Sequence, residues 1–289
     1  MLPYFSEYYG NASTIYSLGA ESKKAMDHAR QTIADSLGAK PEEIYFTAGG
    51  SESDNWALKA TAEAYASKGK HIITTKIEHH AILHTAEQLE KEGFKVVYVP
   101  VDEFGIVKLD EMEKAITEDV FLVSVMTANN EIGTIQPIEE IARMAHAKGA
   151  LFHTDAVQAI GSVKIDVKAM GIDLLSLSGH KFHAPKGVGV LYARQGIPLT
   201  NIIEGGAQER GKRAGTENIP GIMGLAAALE ESCGHIDEDT ARLTKLRDKL
   251  IAGLSKIPHS ALNGDPVHRL PTNVNFCFEG IEGESLLLL

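Results

Sequence analysis

Short apolar runs alternate with amphipathic segments along most of the chain. Six runs bounded by turn residues predict buried strands, at 44–47, 72–75, 96–99, 121–125, 151–154 and 174–177. Between them, apolar positions recur at helical spacing in four segments, 54–66, 82–92, 109–116 and 138–148. This alternation predicts an α/β fold in which a mostly parallel sheet is flanked by helices.

The pattern continues past the last of these strands and then changes. Residues 187–194 predict a further strand, 221–231 and 240–254 predict helices, and 273–278 predict a strand in a new unit. The acidic, glycine-containing segment 234–239 is the predicted domain boundary. We therefore expect a large domain over 12–235 and the start of a smaller α+β domain over 236–289, with residues 1–11 packing against the smaller one.

Composition narrows the classes of function. The 289 residues are 44% apolar and 23% charged, and 28 basic against 39 acidic residues give a formal net charge of −11. This sign disfavours general binding to nucleic acid or to anionic membranes. Two cysteines, Cys233 and Cys277, exclude a disulfide framework and fit a reducing compartment. With no apolar run of membrane-spanning length and no leader pattern, we expect a cytoplasmic protein.

The unusual polar residues follow predicted strands, where ligands bind in parallel α/β sheets. After the strand 44–47, Gly49 and Gly50 turn the chain and a helix begins at Ser51. Free N–H groups at a helix start make a seat for phosphate, and glycines allow the backbone to approach closely. The alternative is an ordinary helix cap after a tight turn. The spacing fits neither a P-loop nor a dinucleotide fingerprint.

Two further loops carry acidic and basic candidates. His153 and Asp155 share one face of the strand 151–154 by alternation, and a carboxylate there can hold a protonated ring nitrogen. The alternative role for Asp155 is a helix cap. Lys181 follows the strand 174–177, where burial among polar groups would favour a Schiff-base nucleophile. Lys186 is the competing candidate, and a solvated surface lysine is the common alternative.

Three other segments could contact a flat, phosphorylated ligand. Gln158 lies one turn after Asp155, and Asn130 follows the strand 121–125, so either amide could reach a ring oxygen; turn formation is the alternative for the asparagine. The imidazole of His79 could stack on a ring and relay protons. The basic loop 205–216 ends in Thr216, whose hydroxyl could reach a phosphate in a neighbouring subunit.

Seven motifs in this order and register resemble one family: TAGGSESDN, EHHAIL, ANNEIG, HTDAVQ, SLSGHKFHAPKG, GGAQERGKRAGTEN and EGESLL. They resemble the NifS/IscS-type cysteine desulfurases, which are fold-type I enzymes dependent on pyridoxal 5′-phosphate. The resemblance implies conversion of L-cysteine to L-alanine with formation of an enzyme persulfide. It also implies a homodimer and a sulfur-accepting scaffold or carrier protein that serves iron–sulfur cluster assembly or thiolation.

The resemblance also implies residue roles. Lys181 is similar to the lysine that binds the cofactor covalently, and Asp155 to the partner of the pyridine nitrogen. His79 is similar to the ring-stacking, proton-carrying histidine, while Thr216 is similar to a phosphate contact donated across the dimer. The remaining positions correspond to contacts with the ring oxygen and substrate side, Gln158 and Asn130, and to the phosphate seat, Gly50, Ser51, Ser178 and His180.

The departures from the family pattern concern the cysteines. Members of the family carry a nucleophilic cysteine on a mobile loop after the EGES segment, here 282–285. Neither Cys233 nor Cys277 matches that position, and we expect both to be buried structural thiols. We expect a chain trimmed at both ends, able to bind the cofactor but unable to complete sulfur transfer.

Three alternatives stay open. A selenocysteine lyase or an aminotransferase would use the same fold and cofactor. A metal enzyme could use the pairs His80 with His84 and His180 with His183, although zinc needs three or four converging ligands and no HExxH motif is present. A non-catalytic protein could also have kept the cofactor fold.

Overall fold

A seven-stranded sheet forms the centre of the molecule in the computed structural model, which describes residues 1–67 and 69–288. Its strand order is β1-β7-β6-β5-β4-β2-β3. Among the described strands of this sheet, only β7 runs opposite to the others, pairing antiparallel with both β1 and β6. The strands are β1 Ile44–Thr47, β2 His71–Thr75, β3 Lys95–Val99, β4 Val120–Ser124, β5 Leu151–Asp155, β6 Leu174–Ser178 and β7 Gly189–Ala193.

Helices connect most of these strands and cover the sheet, which confirms the predicted α/β class. The longer helices are α2 Ser17–Leu37, α3 Gly50–Tyr65, α4 His80–Lys91, α6 Ile138–Ala147, α8 Ile219–Gly234 and α9 Ile236–Leu254. The shorter ones are α1 Pro3–Ser6, α5 Leu109–Ala115, α7 Gln208–Gly211 and α10 Gly283–Leu288. Among the described residues, no helix has the length and apolar character needed to cross a membrane.

Side-chain alternation along the strands divides the core into two layers. Ile72 and Ile73 in β2 are both fully buried, yet they belong to separate clusters on opposite faces of the sheet. One cluster includes α3 and α4, with Trp56 at its centre, and the other includes α2, α6 and α8. Burial on both faces explains why the strands are continuous apolar runs in the sequence.

The structure corrects the sequence-based assignment of two helices. The 21-residue helix α2 was missed, although Met26, Ile33 and Leu37 recur at helical spacing and Gly38 ends the helix with a φ of +69°. The helix predicted at 240–254 begins earlier, because α8 ends at Gly234 and α9 starts at Ile236, so most of the segment 234–239 is helical. The proposed division into 12–235 and 236–289 stays a prediction.

The end of the chain forms a small separate sheet. Strands β8 Ser260–Leu262 and β9 Phe276–Phe278 pair antiparallel. The second of these falls within the strand predicted at 273–278, whereas β8 was not predicted. An isolated bridge between Thr134 and Arg269 connects this region to the loop after β4.

A close backbone approach fixes the start of α3 against the sheet. A Cβ added to Gly189, the first residue of β7, would lie 2.7 Å from the Cα of Gly49. Gly49 itself has a φ of +155° and a ψ of −179°, which is a conformation almost restricted to glycine. Glycine at both positions is therefore what allows β7 and the β1–α3 turn to meet.

We predict that Gly189→Ala destabilises the protein by about 1–3 kcal/mol, because the contact is with backbone atoms that have little freedom to move. Chemical denaturation measures this change in unfolding free energy, provided that its dependence on denaturant concentration is the same in variant and wild type. Gly253→Ala in α9 is the matched control, since no described atom lies within 4 Å of the added Cβ and alanine favours a helix. Equal stability of Gly189→Ala and the wild type would contradict this packing argument.

Candidate active site

A cavity of about 210 Å³ opens at the edge of the sheet where the parallel strands end. Residues from the turns after β1, β2, β4, β5 and β6 converge on it because these strands run in one direction. Its lining consists of Gly50, Ser51, Asp54, His79, Met126, Ala128, Asn130, Asp155, Val157, Gln158, Ser178, His180 and Lys181.

This lining includes nearly all of the residues predicted to bind the cofactor. Nine of them meet there: Gly50, Ser51, His79, Asn130, Asp155, Gln158, Ser178, His180 and Lys181. The tenth, Thr216, is exposed and borders a different depression. Their convergence is a structural fact, whereas the role of each residue stays a prediction.

One end of the cavity has the chemistry of an anion seat. No described side chain caps the start of α3, so the amide N–H groups of its first turn are free to donate. Ser51 belongs to that turn, and the Ser178 hydroxyl lies nearby, 2.9 Å from Nδ1 of His180. Burial, followed by the charges of Lys181 and Lys186, lowers the pKa of His180. Together these donors would suit a phosphate group.

The other end of the cavity is acidic and buried. Asp155 ends β5 with 6% exposure, and its Oδ1 accepts a hydrogen bond of 2.9 Å from the Val157 N–H. Burial raises the pKa of this carboxyl, while the Val157 N–H and the charges of His79 and Lys181 oppose the shift. A carboxylate held here without a fixed cation is suited to binding a protonated ring nitrogen.

Asp54 adds a second buried carboxyl that we did not predict. It lies in the second turn of α3, has 1% exposure, and lines the same cavity. The sequence did carry a sign of this residue: Asp54 is acidic but lies on the same helix face as Ala57 and Leu58, where an apolar residue is expected. The nonpolar lining residues Met126, Ala128 and Val157 were also missed, because nothing in their local sequence distinguishes them from core.

A third buried carboxyl, Glu78, supports the loop that carries His79. Thr75 donates its hydroxyl to Glu78 at 2.7 Å, and the Met126 N–H donates to both carboxyl oxygens at 3.1 and 3.0 Å. Burial raises the pKa of Glu78 to about 8 despite these hydrogen bonds. Glu78 thereby ties the β2–α4 turn to the segment after β4.

His79 has one ring nitrogen free for chemistry. Its Nδ1 accepts a hydrogen bond of 3.1 Å from the Ala81 N–H and so caps α4. A nitrogen that accepts carries no proton, so the neutral ring carries its proton on Nε2. The residue is exposed and lines the cavity.

Lys181 lies on a short 3₁₀ turn, Gly179–Phe182, directly after β6. Its side chain lines the cavity, but the residue is exposed, so the expected burial of this lysine was wrong. The strand before it is buried, whereas the turn itself faces the open side of the cleft. The competing Lys186 is exposed and does not belong to the lining.

Asn129 and Asn130 are neighbours with different positions: the first forms a turn and the second lines the cavity. Asn129 is buried, and its amide donates to the Ile77 carbonyl at 2.9 Å while its oxygen accepts from the N–H groups of Glu131 and Ile132. It therefore forms the turn that was the alternative expectation for this segment. Asn130 is the residue that reaches the cavity.

The loop that carries Thr216 is anchored by a buried ion pair. Arg30 of α2 donates to both oxygens of Glu209 at 2.9 and 2.7 Å, and the Phe46 N–H donates to the same carboxylate at 2.9 Å. Glu209 and Arg210 hold this position with φ angles of +46° and +59° inside α7. The arrangement fixes the loop against β1 and leaves Thr216 exposed.

The prediction that both cysteines are buried was wrong. Cys277 is exposed on β9, and Cys233 at the end of α8 is half-buried. Burial raises the pKa of the Cys233 thiol. Neither sulfur is part of the cavity lining.

The histidine pairs considered for a metal do not assemble a site among the described residues. His80 and His84 lie on α4 with ring centroids 5.1 Å apart, but neither they nor His180 and His183 belong to a group of three potential ligands. One trio is close enough, Asp54, His79 and Asp155, whose polar atoms lie within 4.8 Å of one another. Proximity alone does not assign a metal ion to this trio.

The whole chain, residues 1–289, matches the model of the family described as aminotransferase class-V. Because this match covers the full length, the chain belongs to the class-V aminotransferase family.

Two curated relatives are cysteine desulfurases. Cysteine desulfurase IscS of Methanosarcina thermophila is 59% identical over 289 residues, which cover 100% of this chain and 72% of that protein. Cysteine desulfurase IscS of Clostridium botulinum strain Hall is 58% identical over 291 residues, covering 100% of this chain and 73% of that protein. These matches confirm the resemblance identified from the seven motifs.

Solved structures agree with this placement. A NifS-like protein is 44% identical with a TM-score of 0.97, and the match covers 100% of this chain and 79% of that one. A structure described as SspA in complex with cysteine is 39% identical with a TM-score of 0.86, covering 96% of this chain and 78% of that one. The predicted fold class is thereby confirmed.

We predict that Glu78→Gln flattens the dependence of stability on pH. The folded-state pKa of Glu78 is about 8 against an ordinary value of 4.5, so the folded protein binds more protons between these values. Its contribution to the unfolding free energy is therefore greatest below pH ~4.5 and is lost as the pH rises through ~8. As the pH rises from about 5 to about 8, the unfolding free energy of the variant should therefore increase relative to that of the wild type, by on the order of 2–4 kcal/mol.

Urea unfolding at a series of pH values measures this difference. Glu87→Gln, at an exposed position on α4, is the matched control and should follow the wild-type profile. Parallel profiles for wild type and Glu78→Gln would show that Glu78 does not ionise in this window.

Proposed function

We propose that this chain is a pyridoxal-phosphate-dependent cysteine desulfurase that acts on L-cysteine and gives L-alanine and a persulfide. The observation that carries the proposal is the convergence of an uncapped helix start, a buried carboxylate and a lysine on one cavity. The family and the cysteine desulfurase names of its relatives support the same assignment. The cofactor, when bound, would act as an electron sink for the substrate carbanion.

The residues present fit this cofactor at both ends of the cavity. The free N–H groups at the start of α3, with Ser51, Ser178 and His180, would hold the phosphate. Asp155 would bind the protonated ring nitrogen at the opposite end, and Gln158 and Asn130 would contact the ring oxygen and the substrate side. The unpartnered Oδ1 of buried Asp54 is a further sign that this end accommodates a polar group.

Two side chains can hold and move protons on the substrate side. Lys181 would bind the cofactor through Nζ and, when released, act as a base at that atom. His79 would stack on the ring and exchange a proton at Nε2, because its Nδ1 is occupied by the Ala81 N–H. Both are exposed to the open side of the cleft, from which a substrate would enter.

The thiol that receives sulfur is not identified among the cavity residues. The reaction needs a thiolate that attacks the substrate sulfur, whereas Cys233 and Cys277 both lie outside the lining. Burial also raises the pKa of Cys233, which disfavours its thiolate form. We therefore propose that neither residue is the nucleophile, and that sulfur passes to an acceptor protein from a cysteine outside this set.

Thr216 fits a role between two copies of the chain. It is exposed on the loop that the Arg30–Glu209 ion pair anchors at Glu209, and it lies outside the cavity of its own subunit. We propose that in a homodimer its hydroxyl reaches the phosphate of the neighbouring subunit.

The similar SspA structure, which is a complex with cysteine, is consistent with the proposed substrate.

The first prediction from this proposal concerns covalent attachment. Wild-type protein mixed with pyridoxal phosphate should gain visible absorbance, and borohydride followed by peptide mass mapping should find the cofactor on Lys181. Lys181→Ala should lose both signals because no other described lysine lines the cavity. Lys186→Ala is the control and should behave as wild type. A cofactor fixed to Lys186, or retained by Lys181→Ala, would contradict the assignment.

A second prediction concerns the substrate and separates the remaining alternatives. Cofactor-loaded protein should be given cysteine and an excess of an added thiol, which supplies the attacking thiolate and forms the persulfide. A second molecule of the thiol reduces that persulfide and is oxidised to the disulfide, so alanine and sulfide should be released in equal amounts. Amino donors with a 2-oxo acid should give no transamination. Consumption of selenocysteine with no reaction of cysteine would instead favour a selenocysteine lyase, and formation of new amino acids would favour an aminotransferase.

A further inference from the structure

Asp54 is a buried carboxyl with one unpartnered oxygen. Its Oδ1 is shielded from solvent and forms no hydrogen bond with any described residue. The closest cationic candidate is His153, whose Nε2 lies 3.8 Å from this oxygen, beyond hydrogen-bonding distance. Leaving a buried polar atom without a partner is unfavourable, and more so if the atom is charged, so Asp54 requires an explanation.

His153 does not supply the missing positive charge. It is fully buried in β5 between two hydroxyls, with Ser124 at 2.8 Å from Nδ1 and Ser176 at 3.0 Å from Nε2. Burial lowers the pKa of His153 to about 3, so the ring is neutral near pH 7. Both of its nitrogens are already engaged with hydroxyls.

The groups that face Asp54 are mainly acidic. Burial raises the pKa of Asp54 most, and Asp155 from β5 and Glu78 from the turn before α4 raise it further, while the Ser176 hydroxyl opposes the shift. The ring of His79 joins this group, with its nearest nitrogen within 4.8 Å of the two aspartates. Two carboxylates this close in a buried site do not both ionise readily.

We propose that Asp54 is a positioning residue that carries a proton and donates it in a hydrogen bond to Asp155, so that the pair holds one negative charge. The polar atoms of the two carboxyls lie within 4.8 Å, a span that a small side-chain rotation closes or a single water bridges. The shared proton gives Oδ1 of Asp54 a partner and leaves Asp155 ionised.

The consequence of this pairing for the cofactor site rests on the proposed function. An ionised Asp155 can hold a protonated ring nitrogen, whereas a protonated Asp155 would not. The proton on Asp54 therefore determines which carboxyl faces the ring as an anion. Comparable supporting residues around metal and cofactor ligands change affinity by about 10–100-fold when removed.

The direct test is infrared spectroscopy of cofactor-free protein at neutral pH. Labelling aspartate with ¹³C at the side-chain carboxyl separates its protonated-acid band from that of Glu78. We expect this band in the wild type, its loss in Asp54→Asn and its retention in Asp155→Asn, because burial of Asp54 is unchanged there. Asp27→Asn is the matched control, since Asp27 is exposed on α2 and should not contribute.

The outcomes decide the proposal without reference to activity. Absence of the acid band in the wild type, or its loss in Asp155→Asn with retention in Asp54→Asn, would overturn it. If the Asp54→Asn or Asp155→Asn protein fails to fold, absence of the acid band in the wild type still overturns the proposal, because a pair of ionised aspartates gives no acid band.

Titration with pyridoxal phosphate tests the positioning role separately. Asp54→Asn can donate the same hydrogen bond through its amide and should bind within about threefold of wild type, whereas Asp54→Ala should bind about tenfold more weakly. Unchanged binding by Asp54→Ala would overturn the positioning role. Failure of the wild type to bind the cofactor would instead remove the proposed function and leave the infrared result intact.

Discussion

The common direction of β2, β4, β5 and β6 is the constraint on which the site depends. Because these strands are parallel, their carboxyl ends lie along one edge, and the turns that follow them are brought together there. Residues more than a hundred positions apart in the chain, such as Gly50 and Lys181, therefore line one cavity. The antiparallel strand β7 adds a second condition, since Gly189 allows it to pass the β1–α3 turn at backbone contact.

Charge distribution within the cavity follows from what each end buries. At one end, unbonded N–H groups and hydroxyls favour an anion. At the other, Asp54 and Asp155 are carboxyls whose pKa burial raises, so the pair would hold a single negative charge. Burial is the largest cause of the raised pKa of Asp54, Asp155 and Glu78, so these three carboxyls do not all ionise readily. A protonated ring nitrogen beside Asp155 would favour the ionised form of that one carboxyl. A ligand with a phosphate at one end and a basic ring nitrogen at the other complements both ends.

Much of this organisation was predictable from the sequence, because runs of apolar residues buried on both faces mark strands clearly, and β1 was predicted without error at 44–47. The motifs after the strands were found for the same reason, since polar residues there interrupt apolar runs. Contacts between residues that are far apart in the sequence were not predictable. Asp54, for example, lies within a helix, and its burial depends on where α3 packs. The exposure of Lys181 and of Cys277 likewise depends on turns and edges whose direction a local pattern does not encode.

The central claim is that Asp155 binds the protonated ring nitrogen of pyridoxal phosphate in this cavity. Nitrogen NMR of protein loaded with cofactor labelled with ¹⁵N in the ring tests it most directly, because the chemical shift of that nitrogen separates its protonated from its neutral form. We predict a protonated ring nitrogen in the wild type at neutral pH and a neutral one in Asp155→Ala. A neutral nitrogen in the wild type, or an unchanged shift in the variant, would contradict the account.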